Sequence, residues 1–180
     1  MNKIAVITIA ATLASLQAAA QAPAPAATND LPMAVATEWA QAAIAACTAN
    51  GYAVTALYMT TDLTSKVVLR ADGARNMTVD VARRKAYTVL KTGKTSGEFG
   101  ASVALPAGTP APAAVPGALP GLPPGKDVDQ NLIIWEGGLP VNFGGKLAGA
   151  LSVSGAPGGD KDAACVNAGL AKVASKLGSK

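Results

Sequence analysis

Apolar residues recur along this chain in two rhythms, one helical and one extended. Val35, Trp39, Ala43, Ala46 and Cys47 share one broad face of a helix expected from about Pro32 to Ala49. Asn29 or Asp30 lies near its cap, and Asn50-Gly51 supplies the stop. A second stripe, Val79, Ala82, Ala86, Val89 and Leu90, predicts a helix over roughly Val79–Lys91, capped by Thr78 and ended by Gly93. Arg83, Arg84 and Lys91 decorate its other side. A third stripe, Val166, Leu170, Val173, Ala174 and Leu177, predicts a closing helix over about Asp160–Leu177, whose basic last turn complements the helix dipole. Thr95-Ser96-Gly97-Glu98 has capping-box spacing and starts a short further turn.

Between these helices lie short runs rich in β-branched and aromatic residues. Tyr52–Thr60 and Val67–Arg70 read as strands joined through the polar bend Thr61–Lys66. Leu132–Glu136 reads as a third strand, and Leu139–Asn142 and Leu147–Ser154 as a hairpin around Phe143-Gly144-Gly145-Lys146. The order is helix, hairpin, helix, loop, three strands, helix. The fold class expected is α/β, in its segregated α+β form: a single domain with a mostly antiparallel central sheet and helices packed on it, on one face. Residues 101–126 carry Pro106, Pro110, Pro112, Pro116, Pro120, Pro123 and Pro124, which exclude a regular helix or central strand. This segment reads as a long surface loop, and in a sharper reading as a flap over a site or an oligomer contact.

The N-terminus departs from both rhythms. Residues 1–20 have the pattern of an export signal: Lys3, an apolar core from Ile4 to Leu16, and the small residues Ala18-Ala19-Ala20 before the cut. The apolar run is too short for a membrane span, so no stable membrane insertion is expected. Residues 21–30 form a flexible Pro/Ala linker, and residues 31–177 the domain. The mature protein is then expected in the periplasm or secreted. The formal charge of +4 falls to +3 once Lys3 is removed, too weak and scattered for nucleic acid. The chain has no histidine, which removes the commonest general base and the usual ligand of metals and haem. There is no G-x-S-x-G elbow and no histidine to activate Ser154 for hydrolysis, which leaves open a Ser–Lys pair that nothing specific supports. Cys47 and Cys165 are too far apart in sequence for a metal knuckle; a disulfide stapling the first helix to the last and two separate thiols both remain open.

Four sequence blocks then occur in a telling order. They are Arg70-x-Asp72-Gly73-Ala74, Lys85-Ala86-x-Thr88, Gly137-Gly138-Leu139-Pro140-Val141 and Val153-Ser154-Gly155-Ala156, continuing as Gly159-Asp160-x-Asp162 into a helix of small residues. Together they resemble the GlcG/HbpS-like family over residues 31–177. The resemblance implies a profilin-like architecture, homo-oligomeric assembly and binding of haem or a related tetrapyrrole by an exported, non-catalytic protein. It also leaves two alternatives: an enzyme acting on haem or on a small organic acid, with Asp72 or Glu136 in acid–base work, and an assembly module without ligand. Histidine-based iron ligation does not carry over, and the acidic D/E-x-x-E spacing used by some iron-binding proteins is missing.

The ligand-binding candidates implied are Arg70, Asp72, Gly73, Met77, Lys85, Thr88, Gly137 and Gly138. Arg70 and Asp72 either hold their turn or offer a guanidinium to a ligand carboxylate such as a haem propionate. Lys85 serves similarly or is solvated, and Thr88 offers a hydroxyl or bonds back within its helix. Iron ligands would come from Tyr52, Tyr58, Tyr87, Met33, Met59, Met77 or the cysteines, with Met77 set apart by its place in a polar turn. The glycines from Gly155 to Gly159 end at a helix N-terminus, where anions are favoured, but Asp160 is placed to cap those amides and Asp162 adds negative charge.

Overall fold

In this computed structural model the described residues are 29–105, 120–125 and 128–178. The export signal, residues 21–28 of the linker and most of the proline-rich segment lie outside them. The elements are α1 (Met33–Thr48), β1 (Thr55–Thr60), β2 (Ser65–Arg70), α2 (Met77–Thr92), α3 (Ser96–Ser102), β3 (Gly138–Phe143), β4 (Lys146–Ser154) and α4 (Gly159–Val173), with a final 3-10 turn at Ala174–Lys176. The strands form a four-stranded sheet in the order β2-β1-β4-β3, antiparallel at every pairing.

The helices cover both faces of this sheet, not one. Successive residues of a strand point to opposite sides, and β1 is buried at every position. Ala56 and Tyr58 join the larger core with α1 and α4, around Trp39, Leu151, Val153 and Val166. Leu57 and Met59 join a smaller core with Ala82, Ala86 and Val89 of α2. A continuous buried run is what a strand covered on both faces requires, whereas a one-faced sheet would alternate. Tyr58 pins the centre: its hydroxyl accepts from the Leu31 amide at 2.9 Å and donates to the Ala148 carbonyl at 2.8 Å.

Other local expectations shift for identifiable reasons. Residues 132–136 form no strand, because their backbone bonds to side chains of α2 instead of to a sheet neighbour. Arg84 Nη2 donates to the Leu132 carbonyl at 2.6 Å, and the Ile133 amide donates to Thr88 Oγ1 at 2.9 Å. Asn29 and Asp30 do not cap α1, which follows Pro32 without a side-chain cap. Asn29 instead donates to the Lys146 and Leu147 carbonyls of β4, and Asp30 pairs with Lys66 at 3.5 Å. Thr78 lies inside α2; its hydroxyl bonds the Arg75 carbonyl at 2.6 Å and meets Thr55 Oγ1 at 2.7 Å. The Thr95–Glu98 capping box forms as the spacing predicts.

Helices α1 and α4 pack closely over the larger core. Gly169 leaves room for Trp39: a Cβ there would stand 2.8 Å from the indole, whose Nε1 donates to the Val166 carbonyl at 3.2 Å. Beside this contact Cys47 and Cys165 form a disulfide, with Cα atoms 5.6 Å apart, closing a sequence separation of 118. Cross-linking so long a loop removes much of the unfolded chain's freedom, worth up to about 5 kcal/mol in the chain-entropy picture. A Cys47→Ala/Cys165→Ala variant is therefore expected to lose roughly 2–5 kcal/mol of stability. Urea unfolding with and without reductant measures this; coincident midpoints would show that the bridge contributes nothing.

Candidate functional site

The start of α2 faces the end of β4 across a cleft of about 410 Å³. Met77, Val81 and Lys85 stand at spacings of four on α2, so they form one stripe along the same wall. The opposite wall is Ser154, the glycine-rich bend Gly155–Gly159 and Asp162; Trp135 and Arg75 border the cleft further out. Met77 and Trp135 are exposed there, large apolar groups standing at the edge of a polar floor.

The floor is a buried ion pair. Lys85 Nζ donates to Asp162 Oδ2 at 2.6 Å and to the Val153 carbonyl at 3.0 Å. Asp162 Oδ1 accepts from the Ala156 amide at 2.9 Å. Both side chains are almost fully buried, so removal from water is the dominant influence on each. Burial pushes the Lys85 amine below its ordinary range, opposed by the Asp162 carboxylate and, more weakly, by Glu136. Burial pushes the Asp162 carboxyl above its ordinary range, opposed by Lys85 and by backbone amides of the bend. The pair joins α2 to α4 at the end of β4, and the bond from the Ala156 amide to Asp162 ties the bend to it.

Gly137 and Gly138 close this floor from β3. Gly137 has φ +116°, and a Cβ there would lie 2.7 Å from Asp162 Cβ and 2.9 Å from Lys85 Nζ. A Cβ on Gly138 would stand 2.8 Å from the Lys85 carbonyl oxygen, and its amide donates to Ser96 Oγ of α3 at 2.9 Å. Only bare backbone fits over the pair. Behind it, Arg84 is buried without a carboxylate partner among the described residues; its two Nη atoms donate to the Pro120 and Leu132 carbonyls at 2.7 and 2.6 Å. It fastens the end of the proline-rich segment to α2.

The structure brings together Met77, Lys85, Gly137 and Gly138 of the residues singled out in the sequence. It keeps Arg70, Asp72 and Gly73 apart from them: all three are exposed, and none lines the cleft. Arg70 Nη1 donates to Asn76 Oδ1 at 2.6 Å, and Gly73 turns the chain at φ +78°. Thr88 is buried and accepts the Ile133 amide. Lys85 is not solvated as a helical lysine usually is. Asp160 does not cap α4, whose first turn has no side-chain cap at Gly158; Asp160 is exposed beside Lys161 at 3.4 Å. Tyr58 and Met59 are core residues, Tyr87 donates to Asp129 at 2.7 Å, and Met33 stands exposed on α1. Of the candidate iron ligands, only Met77 borders the cleft. Sequence reasoning missed Arg75 and Trp135. The four-residue step from Met77 through Val81 to Lys85 carried a usable signal for the wall, but nothing local marked Trp135.

Among the described residues no group of three or more His, Cys, Asp or Glu side chains is placed to hold a metal ion, and no helix is long and apolar enough to cross a membrane. A second depression of about 530 Å³, between Pro140–Asn142 and Leu170–Gly178, has no charged side chain in its lining, so chemistry favours the first cleft.

Comparisons with known proteins bear on the family and the fold. The family model for "Haem degrading protein HbpS-like" matches residues 31–171. The crystal structure of HbpS superposes with a TM-score of 0.64 at 26% identity, covering 86% of this chain and 98% of that one. Protein ORFY of Klebsiella pneumoniae gives 0.64 at 25% identity, over 81% and 91% of the two chains. A PduOC:haem complex shares the fold at 20% identity and a TM-score of 0.63, over 79% and 94%. No curated protein matches the sequence.

Removing one member of a buried pair strands the other charge, at a cost of about 3–5 kcal/mol, whereas replacing both with apolar groups is often neutral. Lys85→Met is accordingly expected to destabilise the protein by about 3–5 kcal/mol, and Lys85→Met/Asp162→Leu to recover most of that loss. Urea unfolding of the two variants decides; an unaffected Lys85→Met protein would show that the pair does not hold α2 to α4.

Proposed function

The chain belongs to the HbpS-like family, and from that premise we propose that it is an exported, homo-oligomeric protein that binds haem or a related tetrapyrrole. The observation that carries the reading is the composition of the cleft. Met77, Val81 and Trp135 offer apolar and aromatic surface to a flat ring, while Arg75 lies within reach of its carboxylates. A volume of about 410 Å³ falls within the roughly 300–1,000 Å³ of small-molecule sites. The PduOC:haem complex has the same fold, which supports a tetrapyrrole as the ligand class. Were haem bound, Met77, exposed at the cleft, is the side chain among the described candidates that would offer its iron a thioether. The disulfide suits a protein that works in an oxidising compartment.

A second reading, haem degradation, draws its support from the family's description as haem-degrading. The two separate in one titration. Hemin added to the purified protein is expected to give a shifted Soret band that saturates at a fixed stoichiometry, weakened or displaced in wavelength by Met77→Ala. The band is expected to survive addition of ascorbate. Its decay to a biliverdin-like spectrum would favour degradation, and a free-hemin spectrum throughout would sink the tetrapyrrole reading.

A further inference from the structure

We propose that Arg84, buried behind the cleft, is a positioning residue: it fixes the indole of Trp135 as the surface on which a flat ligand ring stacks. It rests on the preceding reading only in taking a flat ring as what enters the cleft. Trp135 is 39% exposed and borders the cleft, yet it belongs to no helix or strand. Residues 132–136 have no sheet neighbour, so some other contact must set the direction of the indole.

Arg84 supplies that contact. Its guanidinium spans two stretches of chain, Nη1 donating to the Pro120 carbonyl at 2.7 Å and Nη2 to the Leu132 carbonyl at 2.6 Å. The two stretches also bond one another, the Ile134 amide donating to the Gly121 carbonyl at 2.9 Å. Gly121, at φ +70°, lies against the indole: a Cβ there would stand 2.9 Å from Trp135 Cε2 and 3.0 Å from Cδ2. Both rings share those two atoms, so a neighbour approaches the pair only over the ring face. One face of Trp135 therefore rests on Gly121, and Arg84 holds Gly121 in place through Pro120. Thr88 and α3 steady the rest of the segment. Thr88 accepts the Ile133 amide at 2.9 Å, and a Cβ on Gly97 would stand 2.9 Å from Glu136 Cγ.

The choice of arginine fits this task. The guanidinium is fully buried without a carboxylate partner among the described residues, and its Nε has no acceptor there. A charge so placed is costly, and a position that served packing alone would be at least as stable with an apolar side chain. What an apolar residue cannot do is join Pro120 to Leu132. Lysine keeps the charge but offers a point ammonium in place of a planar fork of donors.

Hemin titrations of the wild type, Arg84→Lys, Trp135→Leu and the double variant, followed by the Soret band, separate positioning from general support of the fold. Arg84→Lys is expected to weaken binding about two- to tenfold, the worth of one aromatic stacking contact. It is expected to add nothing to the loss in Trp135→Leu, because both changes remove the same contact. Gly121→Ala leaves Arg84 intact, pushes on the same indole and is expected to match Arg84→Lys. A second readout needs no ligand. The chain has two tryptophans and Trp39 is fully buried, so acrylamide quenching of the fluorescence reports Trp135. Quenching is expected to rise in Arg84→Lys and Gly121→Ala, while the Trp39 signal stays protected in a folded variant. Unchanged quenching, or a hemin loss as large without Trp135 as with it, overturns the inference. If the wild type leaves the hemin spectrum unchanged while quenching rises in the variants, the tetrapyrrole reading falls and the hold of Arg84 on Trp135 stands.

Discussion

The Lys85–Asp162 pair is the contact on which the cleft depends. It is the point where α2, lying on one face of the sheet, is tied to α4, lying on the other. The pair joins them beyond the end of β4, where the bend begins. Charge in so dry a place is tolerated when it is paired and hydrogen-bonded, and here Lys85 donates to Asp162 and the Val153 carbonyl while Asp162 also accepts from the Ala156 amide. The bare backbone of Gly137 and Gly138 above the pair follows from the same constraint, since any side chain would fill the space the lysine needs.

The sequence blocks that carry the family resemblance are spread along the chain yet converge in space. Lys85 comes from one block, Gly137 and Gly138 from another, Ser154 and Gly155 from a third, and Asp162 from the helix that follows. Each is a part of one assembly beneath the cleft. The block around Arg70 and Gly73 is the exception: it shapes the turn that delivers Arg75 and Met77, and stays outside the cleft itself.

The periodic parts of the fold were legible in the sequence. The stripes of α1, α2 and α4 and the hairpin of β3 and β4 follow from local pattern, with boundaries moved by a few residues. What was not legible involves partners distant along the chain. Ile133 looks like a strand residue because it is β-branched and apolar; it is not one because Thr88 and Arg84 take up the backbone around it. Lys85 looks solvated because helical lysines usually are, and its partner lies 77 positions away. Asp160 looks like a cap from its position, but the neighbouring Asp162, turned inward, organises the bend in its place.

The disulfide has a consequence for how the molecule distributes its firmness. It binds α1 to α4 on the side of the sheet away from α2. One wall of the cleft therefore belongs to a covalently reinforced body, while the other rides on a helix held by a smaller apolar cluster, the Lys85–Asp162 pair and hydrogen bonds at Thr78, Ala82, Arg84 and Thr88. The two walls are thus secured by different means, one covalent and the other wholly noncovalent. A ligand that spans the two would act as a further strut between them, stabilising the folded form by mass action.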